Sequence, residues 1–239
     1  FNANMLANEM YLDSADIRAN IVSLAKMLGY TPTSAKAPVA SLDIIVNGPV
    51  GTTLVMDKGT TFTTSVDGTT YNYITNEEIS TSPVDGVFKF SNVSVYEGTA
   101  TQFRYTVDEQ DPDQKFIIPS EQADTSTLKV IVQNSSSDTT QNTYTKSDTL
   151  TELDSTSKVY FLQENNDGRF EVYFGDGVLG KELVDGNIVI LEYIVTNMSE
   201  SNGATSFALE GTVGGFTDVS IATVSKSHGG ALAQSNNSI

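Results

Sequence analysis

The sequence predicts a mainly β protein: an N-terminal helical arm, then an antiparallel, β-rich, elongated body with room for two β subdomains. Three observations carry that reading. From Val39 onward apolar residues recur with a period of two rather than 3.6. Turn-forming pairs such as Asp67-Gly68 punctuate those runs. Charged residues are only 18% of the 239 positions, and Ser, Thr and Asn carry the polarity instead, which suits strands and turns better than helices.

Residues 1–38 stand apart from the rest. Asp13 or Ser14 can cap a helix over 14–28, in which Ile17, Ile21, Leu24 and Leu28 recur at helical spacing. Gly29 supplies the C-terminal cap and Pro32 stops continuation. Met5, Leu6, Met10 and Tyr11 lie just before it. Together these eight apolar residues offer more surface than a short helix usually buries against its own domain, so they form a candidate interface with another polypeptide.

Strands are then expected over 39–46, 60–66, 70–75, 87–96, 101–107, 116–118 and 127–133, followed by 158–163, 169–174, 187–196 and 216–224. The polar stretch 133–143 separates two clusters and reads as an exposed loop or hinge. The expected division is therefore an arm over 1–38, a first β region over 39–133, a polar loop or linker with a short strand over 134–157, and a second β region over 158–239. Within the last, Asn166-Asp167-Gly168 joins two strands into a hairpin with one apolar face. The strand over 187–196 is apolar on both faces, which places it in a sheet interior or an interface.

Gly175, Gly177 and Gly180 satisfy the spacing of a dinucleotide-binding turn and follow a credible strand. The downstream context fails, because Lys181 to Val184 run straight into a second turn at Asp185-Gly186 and then into β-branched residues. No helix fits there to hold a pyrophosphate at its N-terminus. Gly175, Asp176, Gly177, Gly180 and Gly186 are read instead as structural turn residues between antiparallel strands, with no bound nucleotide.

The net charge of −17, with only 13 Lys and Arg, argues against a nucleic-acid partner, which would need clustered cations. Anionic membrane surfaces are disfavoured for the same reason, and no apolar run reaches the roughly 18 residues of a spanning helix. The absence of cysteine excludes disulfides and thiol chemistry and fits assembly in a reducing compartment. No secretory leader is visible, and a chain that opens on Phe1 is expected to be part of a longer one.

Catalytic residues are sparse. His228, the single histidine, sits beside Gly229-Gly230 in an expected loop and has no evident triad. Asp108, Glu109, Asp111 and Asp113 form the densest acidic cluster, but Pro112 and the missing central glycine depart from a calcium loop, so a solvated loop is expected. Glu77-Glu78 and Glu171 with Asp176 are the carboxylate pairs a glycosidase would need, yet 30 acidic residues produce such pairs readily and there is no Trp to stack a sugar. No catalytic, cofactor-binding or metal-binding set is expected, and no small-molecule substrate. A non-enzymatic role follows, with an adhesin or carbohydrate-binding β module as the alternative.

Three blocks in order bear a specific resemblance. They are Arg18 to Pro32 (RANIVSLAKMLGYTP), Asp57 to Thr63 (DKGTTFT), and Phe174-Gly175-Asp176-Gly177 continuing through Gly180, Leu183 and Gly186 to Tyr193-x-x-Thr196 and Asn202-Gly203. Together they resemble the baseplate-J-like wedge proteins of contractile tails, most of all those of T-even-like phages, over most of residues 10–232. The resemblance implies a structural virion protein of the tail baseplate, assembled in the host cytoplasm. It would hold neighbouring wedges in a ring around the hub and pass baseplate rearrangement to sheath contraction. The implied partners are other wedge proteins and, in the full-length protein, a second copy. Family members continue beyond a segment like His228-Gly229-Gly230 into further dimer contacts, which this chain is expected to lack.

Overall fold

The computed structural model describes residue 15 and residues 17–27, 29–49, 51–111, 113–149, 152–165 and 167–239. Its helix α1 (Arg18–Met27) precedes β1 (Val39–Val46), β2 (Leu54–Met56), β3 (Thr61–Val66), β4 (Thr69–Thr75) and β5 (Ile79–Thr81). Next come β6 (Phe88–Glu97), β7 (Thr99–Thr106), β8 (Phe116–Ile117), β9 (Ala123–Gln133) and β10 (Gln141–Lys146). The chain closes with β11 (Val159–Glu164), β12 (Phe170–Phe174), β13 (Ile188–Val195), β14 (Ala208–Glu210) and β15 (Val219–His228). The strands β2, β5 and β14, of three residues each, were not anticipated from the sequence, whereas β10 (QNTYTK), with a single buried side chain, is the short strand expected within 134–157.

Two compact units emerge, and neither is continuous in sequence. One takes in residues 1–34, 102–193 and 233–239, the other 35–101 and 194–232. The contacts thus divide the chain otherwise than a boundary near 134–157 would. The physical reason is long-range pairing: β1 takes β15 as a neighbour, and β9 takes β13. The stretch 133–143 takes the first of its two expected forms, an exposed loop. It is the turn of an antiparallel hairpin in which Gln141 pairs with Gln133, and Asp138 Oδ2 accepts the Asn134 side-chain N–H at 2.7 Å.

In the second unit, a six-stranded sheet runs β14-β3-β4-β6-β1-β15, and β2 pairs with β5 as a separate ribbon. Leu42, Ile44, Phe62, Tyr73, Phe90 and Val95 form its core, joined by Leu54 and Met56 from the ribbon. β6 holds its apolar side chains inward only because of one inserted residue. Leu42 faces Val93 while Ile44 faces Phe90, so Asp43 stands opposite both Ser91 and Asn92. The extra residue is Asn92, in the left-handed region at φ +54°, with its backbone N–H bonded to Asp43 Oδ1 at 2.9 Å. Without this bulge the period-two alternation would turn either Phe88 and Phe90 or Val93 and Val95 outward. The expected hairpin turn at Asp67-Gly68 is present, with both residues at positive φ.

In the first unit, a seven-stranded sheet runs β7-β13-β9-β10-β11-β12-β8. The sheet curls until its two edges meet: Tyr105 of β7 packs edge-on against Phe116 of β8 at 5.6 Å, and its hydroxyl donates to the Ile117 carbonyl at 2.7 Å. Phe174 and Tyr144 extend this aromatic chain. β13 lies between β7 and β9 with both faces buried, as its composition required. The β11–β12 hairpin departs from the expected single apolar face. Tyr160, Phe161 and Leu162 in succession are buried, as are Phe170, Glu171 and Val172, because the sheet is covered on both sides here.

Helix α1 ends in a Schellman motif: Tyr30 N–H bonds the Ala25 carbonyl, Gly29 N–H bonds the Lys26 carbonyl, and Gly29 takes φ +76°. Arg18 anchors its start. Its Nε and Nη2 contact the two oxygens of fully buried Glu164 at 2.5 and 2.9 Å, and Nη1 donates to the Gln234 carbonyl at 2.8 Å. The expected helical stripe is rotated. Ile21, Val22 and Ala25 are buried, Leu24 is half-buried, and Ile17 is 46% exposed. Arg18's ion pair sets this rotation, a constraint that apolar spacing does not encode. The other expected interface residues Met5, Leu6, Met10, Tyr11 and Leu28, and the caps Asp13 and Ser14, lie outside the described residues.

Candidate interaction surface

The glycine motif forms a tight loop at the end of β12. Asp176 Oδ1 accepts the N–H groups of Val178 (3.0 Å) and Leu179 (2.9 Å), and these bonds to the charged form hold its carboxyl below the usual range, Leu179's most of all. The loop then folds back so that Gly177 N–H meets the Gly180 carbonyl at 3.1 Å, with Gly177 at φ +80° and Gly180 at φ +94°. Gly175 is needed for a different reason: a Cβ there would lie 2.4 Å from the Gly180 carbonyl carbon. Backbone bonds from Gly180 and Lys181 to the Asp154 and Ser157 carbonyls tie the loop to the segment before β11. Gly186, at φ +78°, turns the chain into β13 and donates to the Val107 carbonyl.

β12 and β13, which this loop connects, are separated in the sheet by β9, β10 and β11, so the segment 175–187 is a crossover loop.

Beside this loop lies an open cavity of about 370 Å³. One wall is Phe174, Gly175, Glu182 and Leu183, and the other is the acidic segment leading into β8, with Asp108 and Asp111. That segment is organised rather than merely solvated. Gln114 Oε1 accepts the Asp108 N–H and its Nε2 donates to the Thr106 carbonyl, while the Glu109 and Asp185 carboxyls each accept the other residue's backbone N–H. Among the described residues, no three His, Cys, Asp or Glu side chains group as a metal ion would require. Glu171 is buried in β12 whereas Asp176 is spent on its own turn, and Glu77 and Glu78 are exposed. His228 is the last residue of β15 rather than a loop residue, and its Nδ1 lies 3.1 Å from the Lys226 carbonyl.

In the second unit the Thr196 end of the third motif block meets a residue that sequence reasoning missed. Glu97, 1% exposed, receives Thr196 Oγ1 at 2.6 Å, Asn197 N at 2.9 Å and Asn197 Nδ2 at 2.7 Å. The Thr196-Asn197 pair is thus the cradle of a buried carboxylate. Close by in sequence, the Asn202 side chain pairs with both the N–H and the carbonyl of Gly230, at 3.0 and 2.9 Å, where a Cβ would collide with the Met198 carbonyl. At the Asp57 to Thr63 block, the Asp57 carbonyl takes the hydroxyls of Thr60 and Thr75, and Phe62 enters the core. A lone glutamate among 30 acidic residues carries no local pattern; only its pairing with the segment after β13, about 100 residues away, marks it.

Residues 101–219 match the family model of the third domain of the bacteriophage baseplate wedge protein gp6. This match supports a T4-like baseplate wedge protein. The chain is similar to baseplate wedge protein gp6 of Enterobacteria phage T4, with 24% identity over 237 residues, 91% of this chain and 35% of that protein. The chain therefore spans about a third of the length of that relative.

Proposed function

We propose that this chain is a structural segment of the baseplate wedge of a phage contractile tail, located in the virion. In that role it holds neighbouring wedges in a ring around the hub and passes baseplate rearrangement to the sheath. The observation that carries this reading is the match over 101–219, which contains the Gly175–Gly180 loop and the Thr196-Asn197 cradle. A structural role suits the architecture, because buried, hydrogen-bonded carboxylates such as Glu97 and Glu164 fix strand and helix positions more sharply than apolar contacts alone. Its partners are other wedge proteins and, in the longer protein, a second copy. The role is structural, not catalytic.

The arm contributes to those contacts through its outward residues Ile17, Leu24 and Met27, whereas Ile21 is committed to its own unit. Co-expression of the full-length protein with the remaining wedge proteins of its phage tests the proposal. Recovery of a ring-sized complex is expected, and Ile17→Asp with Met27→Asp should weaken recovery while leaving the thermal melt within about 2 °C, as surface changes do. Failure to find the protein in purified tails would overturn the assignment.

A further inference from the structure

Two Asn-Gly pairs stand in the sequence, Asn47-Gly48 and Asn202-Gly203, and the fold treats them oppositely. Asn-Gly is the dipeptide most open to spontaneous cyclisation, because a glycine has no Cβ to keep its backbone nitrogen away from the preceding side-chain carbon. At Asn202 the reacting groups are engaged. Its Oδ1 accepts the Gly230 N–H at 3.0 Å, and its Nδ2 donates to the Gly230 carbonyl at 2.9 Å. The nitrogen that would attack, that of Gly203, donates to the Ser227 carbonyl at 2.8 Å. Asn202 is also half-buried. At Asn47 the restraint is slight. This residue and Gly48 are both exposed, just past the end of β1, and the Asn47 carboxamide is held by a bond from Nδ2 to Asp218 Oδ1 that is long, 3.2 Å, and open to water.

We propose that Asn47-Gly48 is a site of spontaneous deamidation in the folded protein, and that Asn202-Gly203 is protected by its bonds. The Gly48 nitrogen attacks Asn47 Cγ: the N–Cγ bond forms, the Cγ–Nδ2 bond breaks, and the amide leaves as ammonia with the Gly48 proton, giving a cyclic succinimide. Water then opens the ring. Attack at Cγ yields aspartate, and attack at the backbone carbonyl carbon yields isoaspartate, with the chain rerouted through Cγ. The placement gives this change a local consequence. The Asn47 N–H donates to the Asp218 carbonyl at 2.9 Å, continuing the β1–β15 ladder beyond the Val46–Val219 pair. The product sets a carboxylate where Nδ2 now meets the Asp218 carboxylate, so a donor–acceptor contact becomes a like-charge repulsion that salt screens. One negative charge is added to a chain already at −17.

The purified chain is incubated in mildly alkaline buffer at physiological temperature and digested under acidic conditions. Its peptides are followed by mass spectrometry, with isoaspartate separated from aspartate by chromatography. Conversion at Asn47 is expected to exceed that at Asn202 by about tenfold or more, as breaking even one or two net hydrogen bonds at Asn202 requires. Isoaspartate should be among the Asn47 products, and a more acidic band should grow on isoelectric focusing in step with them. In urea the bonds to Gly230 and Ser227 are lost, and the two rates should converge. Asn47→Gln, whose longer side chain closes its ring far more slowly, should suppress the acidic band without lowering the melting temperature. Equal conversion of Asn47 and Asn202 in the folded chain, absence of isoaspartate at Asn47, or an acidic band undiminished in Asn47→Gln would each overturn the site. Rates that stay apart in urea would overturn the protection of Asn202, since local sequence rather than the fold would then set the difference.

Discussion

Gly175 and Gly186 show that two glycines in one loop can be required for unrelated reasons. At Gly175 the constraint is space, since a methyl group would meet the Leu179 carbonyl oxygen at 2.4 Å. At Gly186 it is conformation alone, with φ at +78° and nothing within 4 Å of a built Cβ. Gly175→Ala is therefore expected to cost about 2 kcal/mol or more, as overpacking against backbone does, and Gly186→Ala about 1 kcal/mol from left-handed strain. Urea melts of both variants decide the order, and a larger loss at Gly186 would contradict it. Asp138 makes a different residue-scale statement. The Asn134 side chain, then Thr140, hold its carboxyl down from 3.8 to about 2. A folded value below the unfolded one stabilises fully above about pH 4 and is lost as pH falls through about 2. Thermal melts should fall over that window in the wild type, and Asp138→Asn, which does not titrate, should flatten part of the decline.

At the scale of elements, one polar contact often decides what apolar spacing leaves open. Helix α1 has apolar residues around much of its circumference, and the Arg18–Glu164 pair selects which of them face inward. Glu164 has no exposed side-chain surface, so Arg18→Ala strands a buried carboxylate and should destabilise by about 3 kcal/mol. Arg18→Met with Glu164→Leu should recover most of that loss, because removing both charges abolishes the desolvation cost that the single variant leaves behind. Chemical denaturation of the three proteins measures it; a double variant as unstable as the single one would mean that packing rather than charge governs the site. The bulge at Asn92 works similarly on β6. There the Asp43 carboxylate meets the Asn92 N–H and, at 2.5 Å, the Lys89 ammonium, which together keep its carboxyl below the usual range, Lys89 most of all.

Across the whole molecule the chain passes back and forth between its two units, so sequence neighbours are poor guides to folding units. β1 has β6 on one side and β15 on the other, from residues 88–97 and 219–228. A fragment over 39–133 leaves β1 without β15 and splits the core cluster that includes Ala204, Phe207 and Val213. Such a fragment should give a poorly dispersed amide spectrum and no cooperative melt, whereas the chain over 1–239 should show both. A cooperative melt from residues 39–133 alone would show that the later strands are dispensable.

The sequence by itself determined the fold class, the place and approximate bounds of the strands of five or more residues, with β10 only as a short strand somewhere in 134–157, and the Asp67-Gly68 turn. All of these rest on local patterns of alternation and turn chemistry. Tertiary structure alone decided the interleaving of the two units, the rotation of α1, the crossover from β12 to β13, the closure of the curled sheet through Tyr105, and the buried carboxylates of Glu97, Glu164 and Glu171. Those depend on residues tens to hundreds of positions apart. A side chain's neighbours along the chain fix its backbone preference, but the partner that satisfies a buried charge is chosen only when the sheets close around it.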